Sequence, residues 1–288
     1  MNPKQMLQSL LRADALNFAL TNQIPRRWLT RLVGWVSHTT LPPIPQVSMA
    51  LWRLFADLDL SDARQQQFSS LHACFTRELR PGARAIDGRS DVLSSPCDAI
   101  VGACGHVQDG QLLQAKSQSY ALHELLLDTE LAEKHRHACY VTLRLTSSMY
   151  HRFHAPHNCT VEGVQHVPGD VWNVNPPTLA RVPKLYCRNE RAVIRTTLQS
   201  QGQAVTLVPV AAVLVAGIRL HFIEQPLRDS QGALLACSAA FEKGQEMGYF
   251  EHGSTIIVLG PANFRLAQGI ASGAIIRMGQ ALMNIADQ

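Results

Sequence analysis

From about residue 85 onward the chain is a succession of short apolar runs rich in β-branched residues. This pattern constrains the fold more than any other feature. The runs fall at residues 99–101, 138–145, 160–167, 192–197, 204–215 and 255–259, with Gly, Pro and polar breaks between them. Runs of this length and composition read as strands, and together they predict a largely antiparallel β domain. One helix is expected near 120–131, where Leu122, Leu125, Leu126 and Leu131 recur at helical spacing. Helical patches (Ile275, Met278, Leu282, Ile285) are expected within 264–286.

The first sixty residues differ. Met6, Leu7, Leu10 and Leu11 recur with helical spacing until Pro25. A second amphipathic segment carries Arg26, Arg27, Trp28, Leu29, Arg31, Leu32, Val33, Trp35 and Val36. The Pro-rich stretch 41–45 breaks it, and a third helix is expected over 47–58 with Met49, Trp52, Leu54 and Phe55. The fold class is therefore α+β, with N-terminal amphipathic helices in 1–60 and a largely antiparallel, β-rich domain in 61–288. Tryptophans opposite arginines suit an interfacial membrane helix, but packing on the protein's own core explains the same pattern.

Composition removes several classes. The 288 residues are 46% hydrophobic and 17% charged, enough apolar content for a sizeable core. A net charge of +4 is too small to argue for a nucleic-acid partner. The seven cysteines contain no Cys-x-x-Cys pair, so no zinc knuckle or dithiol motif is read, and a reducing compartment is expected. The longest apolar run, 204–217, is interrupted by Thr206 and Pro209 and is shorter than the ~20 residues a bilayer span needs. The opening Asn2-Pro3-Lys4 lacks the apolar core of a secretory signal, so none is expected. Glycine motifs for nucleotides are absent.

The segment with most chemical content is Lys243-Gly244-Gln245-Glu246-Met247-Gly248-Tyr249-Phe250-Glu251-His252-Gly253-Ser254-Thr255. It runs into Ile256-Ile257-Val258-Leu259, which sets Ser254 at the mouth of a buried strand. Gly253, lacking Cβ, permits close approach of a hydroxyl to the preceding carbonyl, as an N-to-O acyl shift requires. A second block is Tyr150-His151-Arg152-Phe153-His154-Ala155-Pro156, and a third runs from Asp87 through Ser94-Ser95-Pro96-Cys97-Asp98-Ala99-Ile100-Val101. Two histidines three apart suit a metal site on a helix, but the flanks do not favour a helix and no further ligand pattern is visible.

Together these blocks resemble the bacterial, pyruvoyl-dependent phosphatidylserine decarboxylases. Gly244 to Gly248 match the family's Gly-x-Glu-Met-Gly lead-in, and Gly253-Ser254-Thr255 match its processing site, with His252 where Leu is usual. Residues 150–156 resemble its Tyr-His-Arg-x-His-x-Pro, and Asp98 takes the carboxylate position of Pro-Ala-Asp-Gly, with Cys97 for Ala and Ala99 for Gly. Val167-Pro168-Gly169-Asp170 and Arg188-Asn189-Glu190-Arg191 agree as well.

The resemblance implies two stages. In the first, Ser254, His154 and Asp98 form a self-cleavage relay that cuts between Gly253 and Ser254. The products are a β chain, 1–253, and an α chain, 254–288, that stay associated. Ser254 becomes an N-terminal pyruvoyl group, the cofactor, with neither PLP nor metal required. In the second, that group forms a Schiff base with the amine of phosphatidylserine, and His151 donates the proton after carbon dioxide leaves. Lipid as substrate implies a peripheral protein on the cytoplasmic face of the cell membrane. Arg26, Arg27, Trp28, Arg31 and Trp35 would meet an anionic surface there. The resemblance also suggests a homodimer, and Arg152 and Lys116 are candidates for the phosphate. A pyruvoyl decarboxylase of a soluble amino acid and a non-processing lipid-binding homologue remain the alternatives at this point.

Overall fold

The computed structural model describes residues 26–115, 118–200, 202–212, 217–230, 232–251 and 254–285. The expected first helix, at Met6–Leu11, lies outside them. Helix α1 spans Arg26–His38 and α2 spans Ile44–Phe55. A proline in its first turn, where a missing N–H costs nothing, starts α2 three residues before the expected 47. Helix α3, Leu71–Phe75, opens on Ser70, whose hydroxyl accepts from the Ala73 N–H at 3.0 Å.

The rest is β-rich. The strands are β1 (Val92–Ser94), β2 (Ala99–His106), β3 (Gln111–Ala115), β4 (Gln118–Ala121), β5 (Cys139–Leu145), β6 (Arg152–His154) and β7 (Cys159–Val167). They continue as β8 (Arg191–Leu198), β9 (Ala204–Ala211), β10 (Ile218–Leu220), β11 (Leu234–Phe241), β12 (Glu246–Phe250) and β13 (Ser254–Gly260). The last are β14 (Arg265–Leu266), β15 (Ile275–Ile276) and β16 (Ala281–Asn284). The main sheet has eight strands in the order β11-β7-β8-β9-β13-β5-β2-β15, all antiparallel.

The central strands of this sheet are covered on both faces, which is why β9 and β13 read as near-continuous apolar runs, while edge strand β11 alternates exposed and half-buried residues. Along β13, Ile256 and Val258 enter one core and Ile257 and Leu259 the other. The first core is closed by Phe153, Met247 and Phe250 of a small β10-β12-β6 sheet, and by Leu282 and Met283 of a β1-β16-β14 sheet. The second is closed by helical turns carrying Leu122, Leu125, Leu185 and Tyr186.

Two expectations need correction. The helix expected at 120–131 is two short ones, α4 (Leu122–Leu126) and α5 (Thr129–Lys134), and Tyr120 belongs to β4. Leu127 turns left-handed (φ 49°), and Asp128 then caps α5 by accepting from the Leu131 N–H at 2.8 Å. The helical patches expected near the C terminus are strands β14, β15 and β16. Gly269, Gly273 and Gly279 sit there at φ of 85°, 89° and 87° and turn the chain too often for a helix to grow. At Gly279 a Cβ would lie 2.6 Å from the Ala85 carbonyl oxygen, so that turn also needs the missing side chain.

His135, just after α5, is 2% exposed and pairs through Nε2 with the Thr206 hydroxyl of β9 at 2.9 Å. Burial, with Lys134 adding to it, pushes its pKa down to about 4 from 6.5. The stability that this neutral histidine supports is complete above pH 6.5 and is lost as pH falls through 4. Urea unfolding at steps between pH 7 and pH 4 should show a loss on the order of 3 kcal/mol from this group. His135→Gln should flatten that part of the curve.

Candidate active site

Register gathers the site at one end of the main sheet. Ser254 opens β13 and pairs with Leu145, the last residue of β5, and with Ala211, the last residue of β9. Asp98 directly precedes β2, whose Ile100 pairs with Arg144 of β5. Asp98 and Ser254 therefore share the same sheet end with only β5 between them, about 10 Å apart at normal strand spacing. On the other flank, the Ala211 N–H donates to the Glu190 carbonyl at 2.8 Å. Gly253 and His252 lie outside the described residues, as does the Ser254 side chain.

The lead-in to the glycine–serine bond forms β12, and it pairs antiparallel with the histidine block on β6, Glu246 opposite His154 and Tyr249 opposite Arg152. The two glycines of Gly-x-Glu-Met-Gly have separate reasons. Gly248 lies against the Arg219 carbonyl of β10, where any Cβ would collide. Gly244 turns at φ 81° beneath Ile86, which a Cβ would also strike. Its carbonyl accepts a hydrogen bond from His154 Nδ1 at 2.9 Å. Between the glycines, Glu246 accepts from Arg152 Nη1 at 2.7 Å and pairs with His221 Nε2 at 2.6 Å.

A carbonyl only accepts, so the bond to Gly244 puts the proton of neutral His154 on Nδ1. Nε2 is then the basic atom, and the Tyr150 hydroxyl donates to it at 3.0 Å. Burial lowers the His154 pKa, against the opposing pull of the Gly244 carbonyl and Glu246. The ring is thus neutral near pH 7 and able to take a proton. Burial also pushes the Tyr150 phenol upward, keeping it a hydrogen-bond donor.

Asp98 does not contact His154 directly. Arg84 grips it, donating from Nε to Oδ1 at 2.9 Å and from Nη2 to Oδ2 at 2.5 Å, and the Met278 N–H donates to Oδ1 at 2.9 Å. The expected carboxylate–imidazole link is replaced by a neighbourhood: the His154 N–H donates to the Pro96 carbonyl at 2.8 Å, two residues from Asp98. From there the carboxylate acts on both His154 and Tyr150 through its field. Arg84 was not singled out in the sequence. It stands fourteen residues before Asp98, with no spacing to betray it.

His151 and His154 serve different surroundings. His151 Nδ1 donates to the Met149 carbonyl at 2.8 Å, and its ring packs on Phe75 with centroids 3.9 Å apart. Arg152 is committed internally, to the Thr76 carbonyl through Nε (2.9 Å) and Nη2 (2.7 Å) and to Glu246, which argues against a phosphate role. Lys116 lies outside the described residues. Among the described residues, no group of three or more His, Cys, Asp or Glu is placed to hold a metal ion.

The phosphatidylserine decarboxylase family matches residues 71–284. The chain belongs to that family. Its relatives include the phosphatidylserine decarboxylase proenzyme of Shewanella baltica strain OS155, 31% identical over 294 residues, covering 95% of this chain and 98% of that one. The proenzyme of the same name from Yersinia enterocolitica is 32% identical, covering 93% and 96%. That of Halorhodospira halophila is 35% identical, covering 94% of each. The family is one of carboxy-lyases, and its matched span starts at Leu71 in α3, includes all the strands and leaves out α1 and α2.

Arg84 and Asp98 have side chains 7% and 11% exposed, so removing the guanidinium strands a nearly buried carboxylate. Arg84→Met should cost about 3 kcal/mol, read as a shift of the urea midpoint. Arg84→Lys should recover only part of it, because an ammonium cannot make the two-pronged contact.

Proposed function

We propose that this enzyme decarboxylates phosphatidylserine to phosphatidylethanolamine after cutting itself between Gly253 and Ser254. The pairing of β12 on β6, with Glu246 opposite His154, supports this reading most directly, since it ties the lead-in of the bond to the base. Ser254 Oγ attacks the Gly253 carbonyl carbon while its proton passes toward His154 Nε2, and the amide nitrogen leaves with a proton to give an ester. Loss of the Ser254 α-proton then expels the Gly253 carboxylate. Hydrolysis of the resulting alkene-amine releases ammonia and leaves a pyruvoyl end.

The Gly244 carbonyl fixes the His154 tautomer, the task a carboxylate performs in a Ser-His-Asp relay. Asp98 contributes its charge, which favours the imidazolium that forms. Position 254 suits a terminal group: its backbone pairs on both sides and Thr255 is fully buried, so a new chain end stays anchored in the sheet. The pyruvoyl carbonyl supplies an electron sink for the bond to the departing carboxylate. His151 supplies the proton to the carbon that carbon dioxide leaves.

The helical layer faces outward with apolar side chains. Trp35 is 69% exposed, Leu41 70%, Val47 59%, Leu51 53% and Leu54 47%. No helix among the described residues is long and apolar enough to cross a membrane. We read this layer as the surface that lies on an anionic bilayer at its cytoplasmic face, and the working enzyme as associated α and β chains in a homodimer. Trp35 is the member of the Arg26, Arg27, Trp28, Arg31 and Trp35 group whose side chain is described.

A denaturing gel and mass spectrum test the reading. The intact chain is 31.8 kDa; the processed protein should give fragments of about 28 and about 4 kDa at ~110 Da per residue. A single intact band with no pyruvoyl mass overturns it. Ser254→Ala should abolish cutting, His154→Ala should stop it, and Asp98→Ala should slow it by about tenfold or more. Because the His154 pKa is lowered, the acidic limb of the cleavage pH profile should lie below 6.5. Trp35→Glu with Leu51→Glu should leave cutting intact and reduce sedimentation with phosphatidylserine vesicles several-fold.

A further inference from the structure

Helix α3 stands between the outward-facing helices and the histidine block. It packs against both α1 and α2. His72 and Phe75, three residues apart, share a face of it. His72 stacks on His38, the last residue of α1, with centroids 3.9 Å apart. Phe75 is 4% exposed and lies between two rings, Trp52 of α2 at 5.7 Å and His151 at 3.9 Å.

The segment after α3 is bolted to the loop that carries His151. The Thr76 carbonyl accepts twice from Arg152, and Arg77 Nη2 donates to the Ser148 carbonyl at 3.0 Å. Phe75 and the His151 backbone therefore share one rigid frame. Within it, the Met149 carbonyl holds Nδ1 and makes Nε2 the working nitrogen of neutral His151. The Nδ1 hydrogen bond fixes one edge of the ring, and a neighbour against the ring face limits rotation about that bond. That face meets Phe75.

We propose that Phe75 is a positioning residue for decarboxylation, holding the plane of His151 so that Nε2 points at the carbon to be protonated. Trp52 backs Phe75 from α2, the helix whose other side carries exposed Val47, Leu51 and Leu54. The contact with lipid and the proton donor are thus joined by two rings. This rests on the role of His151 given above.

The test separates the two. Wild-type protein that cuts itself but releases no carbon dioxide from phosphatidylserine overturns the proposed function, whatever Phe75 does. With active wild type, Phe75→Met keeps the volume but removes the flat face. It should cut to completion, lose about tenfold or more in kcat, and keep KM within about twofold, since misplacing a reacting group costs turnover rather than binding. Phe75→Tyr should restore most of the rate. Unchanged kcat in Phe75→Met, or equal losses in Met and Tyr variants, overturns the proposal.

A readout free of turnover uses the uncut Ser254→Ala protein. Its His151 Cε1 proton should show an upfield ring-current shift that Phe75→Met abolishes, and a resonance that does not move overturns the ring contact. Should Phe75→Met fail to fold, Trp52→Leu probes the same contact from the half-buried side. It should lower kcat with cutting intact, and full kcat there overturns the coupling.

Discussion

β13 is hydrogen-bonded along both edges in the middle of an eight-stranded sheet, and the rest of the site takes its position from that strand. Its side chains enter alternate cores, so it cannot slip by one residue without moving every one of them to the wrong face. A fixed register at β13 fixes Ser254 against Leu145 and Ala211. Through β5 it fixes Asp98, and through the loop that follows β5 it fixes Tyr150, His151 and His154. The geometry of the candidate site is in this sense a property of sheet register before it is a property of loops.

The polar groups around His154 are paired with one another, which leaves that imidazole neutral. Arg84 compensates Asp98, and Arg152 and His221 face Glu246. His154 is left between a carbonyl and a phenol, neither of which carries charge. Burial of a neutral imidazole costs little when both ring nitrogens are satisfied, whereas burial of its protonated form costs much more. The same low-polarity surroundings that protect the fold therefore keep His154 neutral and able to accept a proton.

The central strands of the main sheet were legible because both their faces are covered and they wrote dense apolar runs into the sequence, whereas edge strand β11, which alternates exposed and half-buried residues, and the short strands of the smaller sheets left no such run. The histidine block and the lead-in were legible as motifs, and their glycines prove to be sites of close approach or left-handed turn. The C-terminal segment was misread because Ile275, Met278, Leu282 and Ile285 satisfy helical spacing, while the glycines that forbid the helix weigh little in a periodicity count. The direct Asp98–His154 pair was not seen, since Arg84 competes for the carboxylate and Gly244 for the ring. Phe75 was invisible for another reason. A phenylalanine in a short apolar turn looks like core, and only the fold shows that the ring beside it is His151, seventy-six residues on.

The Met278 N–H bond to Asp98 reaches across the Gly253–Ser254 position to a segment that follows it in the chain. The strand after that bond is also the one threaded between β5 and β9. Two separately made pieces would have to open a finished sheet to join, whereas a continuous chain lays the strand down as the sheet forms. The continuous polypeptide is thus the mould in which the sheet is cast. On the proposed cut, that connection would be lost only after the strand is in place, which would give the maturation a direction in time.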